Sequence, residues 1–196
     1  MNNRIAEITR ETTETSISLK LMLDGTGIYE VDTQIPFFNH MLNLFSAHSF
    51  FNLFIKAKGD IEVDFHHTVE DAGLVLGEAF DKALGAREGI KRYGYAATPM
   101  DEALSYISVD LSKRPYLVYN ICDICDNYGD FDIFLTKEFL KAFVSKGGLN
   151  LHVNVPYGEN KHHVIEAVFK GLGRALSEAV SFDKRIKGVK STKGVF

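Results

Sequence analysis

Hydrophobic and polar residues alternate over residues 15–24, a pattern that predicts a strand with one face in the core. The inward-facing residues of this pattern are Ile17, Leu19, Leu21 and Leu23. The strand ends at a glycine-containing turn over residues 24–27, and residues 28–33 are expected to return beside it as its hairpin partner. Residues 4–10 form a further short candidate strand.

Hydrophobic residues spaced three and four apart then predict a helix that begins at Pro36. Its inward residues are Phe38, Met41, Leu42 and Phe45, and His40 lies among them. A strand is predicted over residues 51–57, and a long amphipathic helix over residues 67–84. The first half of the chain therefore contains strands followed by a helix, a strand and a helix.

The second half repeats this order. Strands are predicted over residues 104–111, 116–124 and 149–155, and helices over residues 136–146 and 162–180. The repeat predicts an α+β fold with pseudo-twofold duplication, in which each unit is a β-sheet with helices packed on one face. We expect the first unit to span residues 1–92 and the second to span residues 93–196.

Each long helix begins with two adjacent histidines followed by a glutamate: His66, His67 and Glu70, and then His162, His163 and Glu166. Helix positions three or four apart share a face, so His67 with Glu70, or His163 with Glu166, can bind one ion. Adjacent histidines point about 100° apart around the helix axis and cannot easily bind the same ion. Surface histidines at capped helix starts are the alternative for one such pair. Two matching pairs instead predict two metals, each with ligands from both halves.

Composition places the chain among ordinary globular proteins. Of its 196 residues 45% are hydrophobic and 24% charged, and the formal net charge is -4. This acidic balance argues against a general nucleic-acid binder. There is no apolar run of about 18 residues to span a membrane, and the N-terminus lacks the apolar segment of a secretory signal. A cytoplasmic location is therefore expected. Cys122 and Cys125 form a C-x-x-C within a predicted strand, where positions three apart face opposite sides, so two reduced thiols are favoured over a metal site.

Several motifs in order resemble the imidazoleglycerol-phosphate dehydratase family along essentially the whole chain. They are RETTET at 10–15, FNHML at 38–42, DFHHTVED at 64–71, RYG at 92–94, MDEA at 100–103, DLSKRP at 110–115, HHVIEAVFK at 162–170 and STKG at 191–194. The resemblance implies a duplicated α+β enzyme of histidine biosynthesis that assembles into a 24-subunit shell, with two Mn²⁺ per subunit held where subunits meet. No phosphatase-like segment precedes the motifs, as in the single-function form of the family.

The resemblance also assigns metal ligands. They correspond to His40, His66, His67, Glu70, Glu138, His162, His163 and Glu166. Glu138 is a departure, because the family commonly has histidine at that position, although a carboxylate is a competent Mn²⁺ ligand. Water, or His152 on the nearby strand, could take this place instead, and we rank His152 below Glu138.

The substrate contacts implied by the resemblance are Glu14, Arg92, Arg114, Lys170, Ser191, Thr192 and Lys193. Guanidinium and ammonium groups are the donors that a phosphate requires. The substrate would be a phosphorylated imidazole, and the catalytic carboxylates would be Glu14, Glu70 and Glu166. We expect Glu14 to transfer the proton, since Glu70 and Glu166 are expected to be engaged as ligands. A dinuclear metallohydrolase and a noncatalytic metal-binding shell protein are the rival classes.

Overall fold

The computed structural model describes residues 4–122 and 131–193. Eight strands and four helices occur in this part of the chain. In the first half they are β1 (Ile5–Glu11), β2 (Thr15–Met22), β3 (Tyr29–Asp32), α1 (Pro36–Ser49), β4 (Asn52–Gly59) and α2 (His66–Leu84). In the second half they are β5 (Tyr93–Met100), β6 (Ala103–Asp110), β7 (Tyr116–Ile121), α3 (Phe134–Gly147), β8 (Asn150–Tyr157) and α4 (Lys161–Val180).

The strands form two four-stranded sheets with the same topology. Their strand orders are β1-β2-β4-β3 and β5-β6-β8-β7, and in each sheet the last pair is parallel while the others are antiparallel. This confirms the predicted α+β fold with a duplicated unit. No structural observation fixes the exact boundary between residues 92 and 93, which stays a prediction.

One predicted strand pairing is wrong. Residues 28–33 were expected to form a hairpin with the strand before them, but β3 pairs with β4 in parallel, and β4 separates it from β2. The alternating pattern of β2 buries one face only, so it does not specify which neighbour lies along each edge. The 14-residue helix α1 between β3 and β4 supplies the connection that a parallel pair requires.

The sequence pattern also missed β5, over residues 93–100. Its inward positions are the small residues Gly94, Ala96 and Thr98, and it contains Pro99, all weak strand signals. The small residues are needed because α4 packs closely on this strand: a Cβ at Gly94 would lie only 1.9 Å from the backbone oxygen of Ala175. As β5 is an edge strand, the missing N–H of its proline is tolerated.

The core lies between the two sheets, where helices of opposite halves pack on one another. Helix α1 contacts α4, and α2 contacts α3. The contacts are close: a Cβ at Gly77 would lie 2.5 Å from the backbone oxygen of Phe143, and one at Gly173 would lie 2.7 Å from that of Phe45. These equivalent glycines allow the helices of the two halves to pack closely.

A buried arginine supports the end of this helix pair. Arg87 donates hydrogen bonds to the carbonyl oxygens of Gly147 (2.7 Å) and Gly148 (2.8 Å), and also pairs with Asp81. It thereby caps the C-terminus of α3 with a positive charge. No helix in the described residues is both long and apolar enough to cross a membrane. Cys122 directly follows β7, and Cys125 lies outside the described residues.

Candidate metal centre and active site

Three predicted ligands from the two halves converge where α1 meets α4. His40 Nε2 lies 2.8 Å from Glu166 Oε1, and His162 Nε2 lies 3.8 Å from the same oxygen. One ligand atom from each of these residues lies within 4.8 Å of the others. The close packing at Gly173 explains the juxtaposition, because it brings the helix carrying His40 against the helix carrying the other two.

The carboxylate of Glu166 is buried in this cluster, with only 7% of its side chain exposed. Burial raises its pKa, but hydrogen bonds from His40 and Lys170 outweigh that effect, so the pKa lies below its usual value. Lys170 Nζ lies 3.2 Å from Glu166 Oε2. The glutamate is therefore held ionised, as a metal ligand must be.

The equivalent residues in the other helix pair form a second, more open set. His66 Nε2 lies 3.5 Å from Glu70 Oε2 on α2. His66 and Glu138 line one cavity of about 540 Å³, to which Asp64 and Asp132 also contribute. Glu138 is the fifth residue of the 14-residue helix α3, as His40 is of the 14-residue helix α1. The structure thus places Glu138 where the internal repeat predicts it.

The second histidine of each pair contacts a carboxylate outside its own helix. His67 Nδ1 lies 3.1 Å from Asp60 Oδ2, and His163 Nδ1 lies 2.7 Å from Glu102 Oε2. The predicted pairings, His67 with Glu70 and His163 with Glu166, therefore differ from the observed ones, and Glu166 instead lies 3.8 Å from His162. Glu70 instead lies beside His66, four residues before it. Spacings of three and four both fit one helix face, and only the loops around the helix start distinguish them.

Hydrogen bonds to carboxylates shift the pKa values of His67 and His163, which are called the outer histidines below. The bond to Asp60 raises the pKa of His67, and the bond to Glu102 raises that of His163. The same contact with His163, together with backbone N–H donors, lowers the pKa of Glu102 to about 2. Both histidines are thus oriented through Nδ1, which leaves Nε2 as the atom for a metal. Asp101 Oδ2 lies 3.7 Å from His163 Nε2, beyond hydrogen-bond distance.

The donors of the two sets fit a divalent transition metal. The first set offers two imidazole nitrogens and one carboxylate oxygen within 4.8 Å of one another. In the second set, His66 lies 3.5 Å from Glu70 and lines one cavity with Glu138. Mixed nitrogen and oxygen donors of this kind suit Mn²⁺. Lys170 donates a hydrogen bond to Glu166 Oε2. Glu166 therefore presents Oε1 to its histidine neighbours.

Glu14 lies in a rigid turn between β1 and β2, with its carboxylate exposed. Thr12 Oγ1 accepts hydrogen bonds from the backbone N–H groups of Glu14 (3.1 Å) and Thr15 (2.9 Å). Thr15 in turn donates to Asp71 Oδ2 at 2.5 Å, which fastens the turn to α2. Glu14 Oε2 lies 3.8 Å from His67 Nδ1. The structure therefore brings Glu14 to the predicted ligands, and half of its side chain remains accessible.

Five of the predicted substrate contacts line a second, basic cavity of about 710 Å³: Arg92, Arg114, Ser191, Thr192 and Lys193. Lys113 and Lys190 add two further positive charges that the sequence reasoning did not assign. Arg92 is oriented by Asp110, with Nε 2.6 Å from Oδ1. Arg92 and Lys113 have positive φ angles of 72° and 57°, a strained conformation that tends to persist at binding sites.

Two residues that the sequence analysis considered for the site lie outside the basic cavity or away from the ligand-bearing helices. Lys170, a predicted substrate contact, is not among the residues that line the basic cavity, and it contacts Glu166 and Met100 instead. His152 is exposed on β8, between the inward-facing residues Leu151 and Val153, so it points away from the helices. The ranking of Glu138 above His152 agrees with this geometry.

The sequence reasoning left two acidic residues without a role. Asp60 was only one of several acids before His66, and Glu102 was noted in MDEA with no function. Both prove to bind the outer histidines. One available signal was the repeat itself, since Glu102 precedes β6 as Glu14 precedes β2.

Comparison with known proteins gives one consistent result. The family model described as imidazoleglycerol-phosphate dehydratase matches residues 33–176. An imidazoleglycerol-phosphate dehydratase of Desulfosudis oleivorans is 56% identical over 97% of this chain and 98% of its own length. The enzyme of the same name from Trichlorobacter lovleyi is 57% identical over 98% of each chain. Crystal structures of this enzyme from Staphylococcus aureus and Pyrococcus furiosus are both 36% identical, with TM-scores of 0.82 and 0.83. They align with 91% and 96% of this chain, and with 99% and 100% of their own.

Proposed function

The chain belongs to the imidazoleglycerol-phosphate dehydratase family, hydro-lyases of histidine biosynthesis, and on this premise we propose that its reaction depends on metal. The proposed reaction converts D-erythro-imidazole-glycerol phosphate to imidazole-acetol phosphate and water. The observation that carries the metal requirement is the convergence of His40, His162 and Glu166 from opposite halves of the chain.

Two Mn²⁺ ions per subunit are proposed, one for each helix pair. The proposed ligands on the α1–α4 side are His40, His162 and Glu166, and those on the α2–α3 side are His66, Glu70 and Glu138. His67 and His163, which are held through Nδ1, would supply Nε2 as the remaining ligands. When bound, the metal would lower the pKa of the ring N–H of the substrate's imidazole, and loss of that proton would make the ring a better electron source.

Glu14 is proposed as the proton-transfer group. In the dehydration, the C–O bond on the carbon next to the imidazole breaks, the neighbouring carbon loses its proton, and the resulting enol becomes the ketone. Glu14 combines an accessible carboxylate with a turn that is fixed to α2, so it can hold a proton at a defined position. Glu70 and Glu166 pair with histidines in the two helix pairs and are assigned as ligands.

The basic cavity is proposed to bind the substrate phosphate. Arg114 can present a guanidinium fork, and Arg92 adds the positive charge of a guanidinium that Asp110 holds through Nε and Nη2. Lys193 adds an ammonium group, and Ser191 and Thr192 add hydroxyl donors. Such a clamp orients the substrate and takes no part in bond breaking. Lys170 is proposed to act at the metal cluster, where it already contacts Glu166.

A homo-oligomer of 24 subunits in the cytoplasm is proposed from the resemblance to the family. His67 and His163 support shared sites, because each is held through Nδ1 by a carboxylate outside its own helix, and its Nε2 can serve a metal held by a neighbouring subunit.

Metal removal tests the proposal. Purified protein treated with a chelator should lose dehydratase activity, measured as imidazole-acetol phosphate formation, and should regain it with Mn²⁺. Full activity in rigorously metal-free protein would refute the metal requirement. Release of inorganic phosphate from the substrate would instead indicate the rival metallohydrolase, since two metals can also activate water.

A further inference from the structure

Each outer histidine is held by a carboxylate at the nitrogen that points away from the proposed metal. His67 Nδ1 lies 3.2 and 3.1 Å from the two oxygens of Asp60, and His163 Nδ1 lies 2.7 Å from Glu102 Oε2. An ionised carboxylate only accepts hydrogen bonds, so Nδ1 must carry the proton. In a neutral imidazole, Nε2 is then unprotonated and able to bind a metal.

The two carboxylates occupy different positions in the repeat. Glu102 directly precedes β6, and its counterpart in the first half is Glu14, which precedes β2. Glu14 Oε2 lies 3.8 Å from His67 Nδ1, beyond hydrogen-bond distance, while Asp60 occupies that nitrogen. Asp60 therefore does in the first half what Glu102 does in the second.

Packing explains why the second half has no equivalent of Asp60. Gly158 follows β8 as Asp60 follows β4. A Cβ at Gly158 would lie 2.4 Å from Val164 Cγ2 and 3.1 Å from Ala103 Cβ, so there is no room for an acidic side chain. The carboxylate for His163 has to come from the β5–β6 turn instead.

We propose that Asp60 and Glu102 are positioning residues that hold His67 and His163 with Nε2 free for metal, and that Asp60 thereby leaves Glu14 available for proton transfer. The two halves thus use equivalent glutamates for different tasks. This inference rests on the proposed metal ligation, and it concerns the tautomer of two histidines, which can be measured without turnover.

Glu102→Gln is the sharpest test. Glu102 Oε1 accepts the backbone N–H groups of Asn160 (2.8 Å) and Glu159 (3.3 Å), so the glutamine oxygen must stay at this position. The glutamine NH₂ group then faces His163 Nδ1, which has to become an acceptor, and the proton moves to Nε2. Because the shape and the backbone contacts are kept, this variant should fold as the wild type does.

Two readouts are measured on the variant. Long-range ¹⁵N–¹H spectra of metal-free, ¹⁵N-histidine-labelled protein, at a pH where the imidazoles are neutral, should show His163 protonated at Nε2. The Mn²⁺ affinity of one of the two sites should fall by roughly 10- to 100-fold. Unchanged tautomer and affinity would overturn the proposal.

Asp60 provides a matched comparison. Both carboxylate oxygens of Asp60 contact His67 Nδ1, so Asp60→Asn can turn its oxygen to that nitrogen and should keep both the tautomer and Mn²⁺ affinity. Asp60→Ala cannot, and should lose affinity at one site. Unchanged affinity in Asp60→Ala would overturn the proposal.

Glu14→Gln separates positioning from chemistry. It should keep both Mn²⁺ affinities and lose kcat, whereas the Glu102→Gln defect appears in metal binding without substrate. A Glu14→Gln variant that loses Mn²⁺ affinity instead would overturn the assignment. If the wild type binds Mn²⁺ and shows the expected tautomers but does not dehydrate the substrate, the proposed function fails while the inference on positioning stands.

Discussion

Replacement of Arg87 by methionine should markedly lower the stability of the fold. The Arg87 side chain is completely buried, and its guanidinium binds the carbonyl oxygens of Gly147 and Gly148 and the carboxylate of Asp81. Methionine fills much of the same space but leaves two backbone acceptors at the end of α3 without their partner. Loss of one member of a buried ion pair costs about 3–5 kcal/mol. Asp81 is 39% exposed and can be rehydrated, so the lower end of this range is expected.

Thermal unfolding of metal-free protein, followed by circular dichroism, measures this effect. Metal must be absent, because ligand binding to the folded state would mask the loss. For a chain of this size each kcal/mol corresponds to about 2–4 °C. A loss of about 3 kcal/mol should therefore lower the midpoint by roughly 6–12 °C. Arg185→Met is the control, since this side chain is 89% exposed and pairs with Asp183 at the surface. A change in the Arg87 variant no larger than that of the control would refute the reasoning.

Three further predictions concern the proposed site. Arg114→Ala should weaken substrate binding about tenfold to a hundredfold while metal content stays near normal, because one charge-assisted contact to phosphate is lost. Substrate titration and metal analysis test this, and normal substrate binding with lost metal would contradict the role of Arg114 as a phosphate contact. Glu138→His should keep two metals per chain, while Glu138→Gln should weaken one site. His152→Ala should change metal content little, because that side chain is exposed on β8. Metal counting tests this, and two metals kept in Glu138→Gln with one lost in His152→Ala would make His152 the ligand. Gly173→Ala should separate α1 from α4, since its Cβ would lie 2.7 Å from the backbone oxygen of Phe45; overpacking of this kind costs typically 1–3 kcal/mol, and unchanged stability and Mn²⁺ affinity would contradict the packing argument.

Much of the fold was predictable from local patterns. The helices from Pro36 and from the two histidine pairs were recognised because hydrophobic residues recur at helical spacing along each of them. The internal repeat added long-range information, because it aligns His40 with Glu138 from the sequence alone. The pairing of β3 was beyond local reasoning, since a strand with one buried face gives no information about the neighbour at its edge. Strand β5 was missed because close packing of α4 selects small residues that carry little strand signal.

For the site, the sequence by itself determined which residue types are available and that they occur in two matching sets. The residue type at each position fixes the functional group: imidazole, carboxylate or guanidinium. The tertiary structure decided their assignments: Glu70 binds beside His66 and not His67, Lys170 contacts Glu166 and lies outside the basic cavity, and Asp60 and Glu102 hold the outer histidines. These contacts join residues on different elements, and their distances depend on helix packing and on loops whose geometry no periodic pattern encodes. A helix repeat defines a face to within one residue, while a hydrogen bond requires atoms to lie within a few tenths of an ångström, and only the packed chain supplies that precision.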